Sequence, residues 1–192
     1  MTRNPRGEAL SLWQGLQAEH DRYRAAVRVL QGQRDVTVLR VQDDMRRYLC
    51  LRCAGFLEQV VFVVLDGYLD QKTSGPAREF IRTQFRRAPN LNVKAFAGLI
   101  GRFGSHYSGE FDRFLTKTRR STLGDLLDIR NDVAHGRVGP GARLDPNRYL
   151  TLCEEVYDWL IETFLGDSVI ALDDSGTKII GHVRAQRPEV GA

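Results

Sequence analysis

The run Val60-Val61-Phe62-Val63-Val64 decides how the fold of this chain is read. Five consecutive apolar residues, four of them β-branched, suit a strand buried on both faces. They equally suit a turn and a half of a helix that is apolar all round because it lies inside a core. The flanking pattern separates the two. Val38, Val41, Met45, Leu49, Phe56, Val60 and Val63 keep helical spacing, with no turn cluster between them. The stretch is therefore expected to be one long helix over residues 36–69.

Moving outward, helical signals recur on both sides. Upstream, Trp13, Leu16, His20, Tyr23, Val27 and Leu30 form a single amphipathic stripe that Gln31-Gly32-Gln33 brings to an end. Downstream, Lys72-Thr73-Ser74-Gly75-Pro76 is a break followed by a short helix over residues 77–86. Asn92 is expected to cap a helix running to about Phe103, and Ser108 another that carries Phe111, Phe114 and Leu115. Ser121 is read as the start of a helix with Leu123, Leu126, Leu127, Ile129 and Val133, stopped at Gly136. Asp145-Pro146 opens the last long helix, which carries Tyr149, Leu152, Val156, Trp159, Leu160 and Phe164 up to Gly166. Beyond it, Ser168-Val-Ile-Ala-Leu172 and Thr177-Lys-Ile-Ile180 flank a four-residue turn and suggest a small β-hairpin, with residues after Arg184 frayed. The expectation is an all-α domain over residues 1–166 and a C-terminal appendage over residues 167–192.

Composition narrows the class. The chain has 192 residues, 42% of them hydrophobic, enough for one core without a disulfide or metal staple. The longest unbroken apolar run, from Val60 to Leu65, is far shorter than a bilayer span, and the first residues lack the apolar centre of a secretory leader. Cys50, Cys53 and Cys153 are an odd set, which fits a reducing, cytoplasmic setting better than a disulfide framework. The net charge of +4 hides a contrast: residues 78–120 are strongly basic, whereas the chain from residue 141 onward is acidic. A positive middle suits a polyanion held on one face, and a solvated arginine-rich surface suits it equally.

The segment Asp128-Ile-Arg130-Asn131-Asp132-Val-Ala-His135-Gly136 carries the chemistry. Cleaving RNA without a metal requires a base for the ribose 2′-hydroxyl, an acid for the departing 5′-oxygen, and a cation for the charge growing on phosphorus. Histidine can fill either proton role near neutral pH, and arginine grips phosphate with two parallel donors. Asn131 and His135 are four apart on one helix face, so the amide can orient the ring or bind phosphate. Arg130 lies roughly 140° round the helix from His135 and flanks the same edge. Asp128 and Asp132 stand beside them, Asp132 as a supporting carboxylate. One such histidine per chain does not make an acid–base couple, but a two-fold homodimer would supply the second. The plain alternative is a histidine and glycine closing a helix, with Arg130 in a surface ion pair.

Arg130-Asn131-x-x-x-His135-Gly136, late in an all-α chain and ahead of one more long helix, resembles the signature of the HEPN ribonucleases. Cys50-Leu-Arg-Cys-Ala-Gly55-Phe56-Leu57-Glu58 and Asn90-Leu-Asn92 are similar to early elements of the RiboL-PSP-HEPN subgroup. The resemblance spans residues 45–164. It implies a helical bundle, a homodimer, metal-independent endonucleolytic cleavage of RNA with no cofactor, and work in toxin–antitoxin or phage-defence systems with a cognate antitoxin or defence partner. It also implies catalytic roles for Arg130, Asn131 and His135, with Glu58 as a supporting carboxylate.

Other signals point less far. Arg82, Arg86, Arg87, Arg119 and Arg120 are candidate RNA-binding residues of the basic segment, and Arg137 is another, in the glycine-rich loop after His135. Cys50-x-x-Cys53 lies inside a helical pattern and reads as two small core residues, not a metal or redox site. His20 continues an apolar stripe as a core or interface residue. His106 is read as an exposed histidine in a connector from Gly101 to Gly109, and His182 has no assigned role. Gly101-x-x-Gly104 and the loop from Gly136 to Gly141 lack the lysine and hydroxyl residue of a phosphate-binding loop. A catalytically inactive helical interaction module, binding a protein, nucleotide or RNA through an exposed Trp13 and Tyr23, is the competing reading.

Overall fold

The computed structural model describes residues 4–33, 35–85, 91–137, 144–166, 168–172 and 178–182, with side chains omitted for Arg82, Gln84, Ala134 and the two strands. Its helices are α1 (Pro5–Val29), α2 (Val36–Lys72), α3 (Gly75–Gln84), α4 (Val93–Gly101), α5 (Ser105–Phe114), α6 (Lys117–Ala134) and α7 (Pro146–Leu165). The C-terminal half of α2 is the axis of the bundle, and α1, α6 and α7 pack around it. The valine run is helical: Val60, Val61 and Val64 are fully buried, and Val63 nearly so. Enclosure by three neighbours removes the polar face that an amphipathic helix would show, which is why the run mimics a strand. Enclosure also accounts for the hydropathy of α2, the described helix that is long and apolar enough to cross a membrane; most of that stretch is buried within the bundle.

Close packing of α1 on α2 depends on Gly67, where a Cβ would stand only 2.3 Å from the Pro5 ring. Between His20 and Leu49, by contrast, no described residue is buried, so this stretch of the α1–α2 hairpin adds little to the core. Trp13 is buried, 5.7 Å from the Phe56 ring and 6.0 Å from Tyr157, and Tyr23 is half-buried. The expected exposed Trp13 surface is therefore corrected: its apolar stripe faces the core. His20 is buried as expected, with Nε2 2.8 Å from Asn147 Oδ1.

Three helix starts differ from expectation, α3 by the least, since it runs from Gly75 to Gln84 and not over residues 77–86. Helix α5 begins at Ser105, three residues before Ser108, because Gly104 at φ 117° turns the chain and Tyr107 and Phe111 are pulled inward. Tyr107 stacks 5.0 Å from Phe164, and Phe111 lies 4.6 Å from Phe96. His106 accordingly sits exposed in the first turn of α5, not in a loop. Helix α6 begins at Lys117, capped by Thr116 Oγ1 accepting from Arg119 N–H at 3.4 Å, so Ser121 is interior. Thr116 is followed by Lys117, Thr118, Arg119 and Arg120, which carry no apolar stripe, so periodicity alone missed the first turn. Asn92 and Asp145 cap α4 and α7 as expected.

Cys50, Cys53 and Cys153 are buried where α2 meets α7. The Cys153 thiol donates to the Cys53 carbonyl at 3.5 Å, and burial pushes it well above its ordinary range. Burial likewise pushes Cys50 up to about 12. These are core residues, as the spacing implied. After α7, β1 (Ser168–Leu172) and β2 (Lys178–His182) pair antiparallel, with Ile170 opposite Ile180. The intervening turn and the segment after Arg184 lie outside the described residues.

Candidate active site

Helix α6 ends in a motif that its sequence specifies residue by residue. His135 is the C-cap, and its N–H reaches the Asn131 carbonyl at 3.0 Å. Gly136 then turns left-handed at φ 67°, where a side chain would be strained. Its N–H donates to the Val133 carbonyl at 3.1 Å, and that of Arg137 to the Asp132 carbonyl at 2.8 Å. This is the Schellman closure. The Asn131, Asp132 and Val133 carbonyls are thereby satisfied from the backbone, and the side chains of His135 and Arg137 are left exposed.

About one and a half turns earlier, Arg130 is held against α2. It is about one-fifth exposed and forms an ion pair and hydrogen bond with Glu58 of α2, itself equally sheltered. The same Glu58 oxygen accepts from the Leu91 N–H at 3.2 Å, just before the Asn92 cap of α4. One carboxylate thus ties α2, α6 and the approach to α4 at a single point. Arg130 Nη1 also donates to Asn131 Oδ1 at 3.1 Å. The expected side-chain bond from Asn131 to His135 is replaced: the amide oxygen is used by the adjacent guanidinium, and only the Asn131 carbonyl meets His135. Asn131 is exposed and Asp132 half-buried. The result is a cation held in place beside an amide, with an exposed imidazole one turn beyond. Such a set can bind a phosphate and move a proton.

The other arginines are placed differently. Arg119, at the N-terminal end of α6, donates to both Glu155 oxygens at 3.0 and 3.2 Å and to the Phe114 carbonyl at 3.1 Å. Its guanidinium lies 4.7 Å from the centre of the Phe114 ring, and the bond to Glu155 raises its pKa further. Arg120 meets Asp112 at 3.3 Å on the surface. Arg82 lies in α3, and Arg86 and Arg87 fall outside the described residues, as does most of the loop after Arg137. Residue spacing did not reveal the Leu91 contact, because a backbone N–H has no sequence signature. Its only trace is Asn92, which fixes where α4 starts.

Comparison with curated proteins and with solved structures gave no match. The sequence profile of the RiboL-PSP-HEPN family matches residues 28–164, most of the chain, starting upstream of the expected span and ending within α7. With the all-α bundle and the arginine–histidine ending of α6, this match establishes that the chain belongs to the RiboL-PSP-HEPN family.

Proposed function

We propose that this chain is a metal-independent RNA endonuclease of the toxin or phage-defence type, active in the cytoplasm as a homodimer. The observation that carries the reading is the pairing of an exposed His135 at the end of α6 with an Arg130 guanidinium that Glu58 holds in place. In this reading His135 of one copy takes the proton from the ribose 2′-hydroxyl. The 2′-oxygen attacks phosphorus, and the bond from phosphorus to the 5′-oxygen breaks. His135 of the second copy gives its proton to that leaving oxygen. Arg130 stabilises the charge on the phosphoryl oxygens, and Asn131 positions the phosphate. The products are a 2′,3′-cyclic phosphate and a free 5′-hydroxyl. A cognate antitoxin or defence partner would restrain such an enzyme.

Incubating the purified protein with RNA in EDTA tests this directly. Cleavage giving those two end groups, abolished by His135→Ala, supports the reading; undiminished cleavage by that variant removes it. Sedimentation of the same samples reports whether the particle is the dimer that two imidazoles require.

One observation favours a second reading, an inactive helical module. The Arg130–Glu58 pair joins three elements, as a purely structural pair would. On that reading Arg130→Ala lowers the melting temperature and neither the variant nor the parent cuts RNA.

A further inference from the structure

The exposed face of α4 holds a groove of about 460 Å³ lined by Asn92, Lys94, Ala95, Gly98, Leu99 and Arg102. No carboxylate is among the described residues that line it. Lys94 and Arg102 are exposed and, unlike Arg119 and Arg120, enter no salt bridge among the described residues. They stand eight residues apart, about 12 Å along the helix axis. The groove begins one residue after Leu91, whose N–H bonds the carboxylate that holds Arg130. A positive groove beginning beside the candidate site, with no aromatic among its described lining residues, suits an extended polyanionic strand read through its phosphates.

We propose that this α4 groove is the track for the single-stranded RNA flanking the scissile phosphate, with Lys94 and Arg102 each contacting a backbone phosphate. The proposal deepens the nuclease reading and rests on it for the direction the strand takes. The groove is open at Gly98, where an added Cβ would meet nothing within 4 Å, so a side chain placed there fits the free protein and obstructs only what binds.

The test uses a ten-nucleotide 2′-O-methyl oligoribonucleotide, which lacks the attacking hydroxyl and is held without being cut. Lys94→Ala/Arg102→Ala should weaken its binding about tenfold at low salt and reduce the slope of log affinity against log salt by about 1.4. Arg24→Ala/Lys117→Ala, removing equal charge elsewhere, should do neither. Gly98→Glu should weaken binding comparably while the melting temperature does not fall. Unchanged affinity and slope in the Lys94/Arg102 variant overturn the groove, as does absence of any binding by the parent protein. Groove-dependent binding by a protein that cuts no RNA supports the groove and defeats the nuclease reading. Cleavage with groove-independent binding does the reverse.

Discussion

Arg119 near the start of α6 and Arg130 near its end each meet a glutamate from another helix, Glu155 of α7 and Glu58 of α2. The chemistry of the pair is the same, and the company differs. Arg119 also bonds the Phe114 carbonyl and lies over the Phe114 ring, and with Glu155 it lines an open pocket alongside Thr116, Thr118, Arg148 and Thr151. Around Arg130 the pair also fixes Leu91, and it adjoins exposed Asn131, with exposed His135 about one and a half turns further along the helix. A glutamate partner therefore does not by itself distinguish a strut from a site. What distinguishes them is whether an exposed imidazole, able to move a proton near neutral pH, follows the arginine on the same helix, as His135 follows Arg130.

The strongest way to break this contrast is His135→Ala. Loss of a general acid–base group should lower cleavage by at least about 100-fold. Exposed as it is, its removal should leave stability within about 0.5 kcal/mol, read as an unchanged melting curve. Next, Arg130→Ala should reduce the cleavage rate by about 100-fold through loss of charge stabilisation. It should also destabilise the fold by about 2 kcal/mol, because the sheltered Glu58 carboxylate is left without its cation. Arg119→Ala sharpens the comparison: a cleavage loss at least tenfold smaller, with a stability cost of about 0.5 kcal/mol for a pair one-third exposed. If Arg119→Ala matches Arg130→Ala in cleavage, the two ends of the helix are equivalent and the contrast fails. Glu58→Gln, which keeps the shape and removes the charge, should cost about 1 kcal/mol and slow cleavage less than Arg130→Ala does.

The smallest effect concerns the thiols at the α2–α7 contact. Burial raises Cys50 to about 12 from an ordinary value near 9. An unfolded chain therefore loses this proton at lower pH than the native one does. The associated stability is fully present below pH 9 and declines as pH rises toward 12. Ellman's reagent at pH 8 should accordingly react with the three cysteines only as fast as the chain opens. Rapid labelling of the native protein would show that the contact is looser than its burial implies.

Much of this molecule was legible before folding was considered. Capping residues act through contacts to their own next turn, so Asn92, Asp145 and Gly136 mark helix ends that the structure keeps. The start of α6 escaped because Thr116-Lys117-Thr118-Arg119-Arg120 has no apolar stripe; its anchor is Arg119 reaching Glu155, 36 residues away. Trp13 escaped for a different reason: it does lie on an apolar stripe, but periodicity marks a face without saying what covers it. At the site, the residue types and their order were readable, whereas the partners of each were not.

Order along the chain alone determined the all-α class, the helix ends marked by Asn92, Asp145 and Gly136, and the Arg130-Asn131-x-x-x-His135 spacing, because helix geometry and capping are local. Folding in three dimensions decided that Arg130 turns inward to Glu58, 72 residues away, while His135 stays in solvent. It also decided that Lys94 and Arg102, unremarkable in sequence, share an open groove. Ion pairing and burial depend on which distant groups meet, and only packing around α2 brings those groups together.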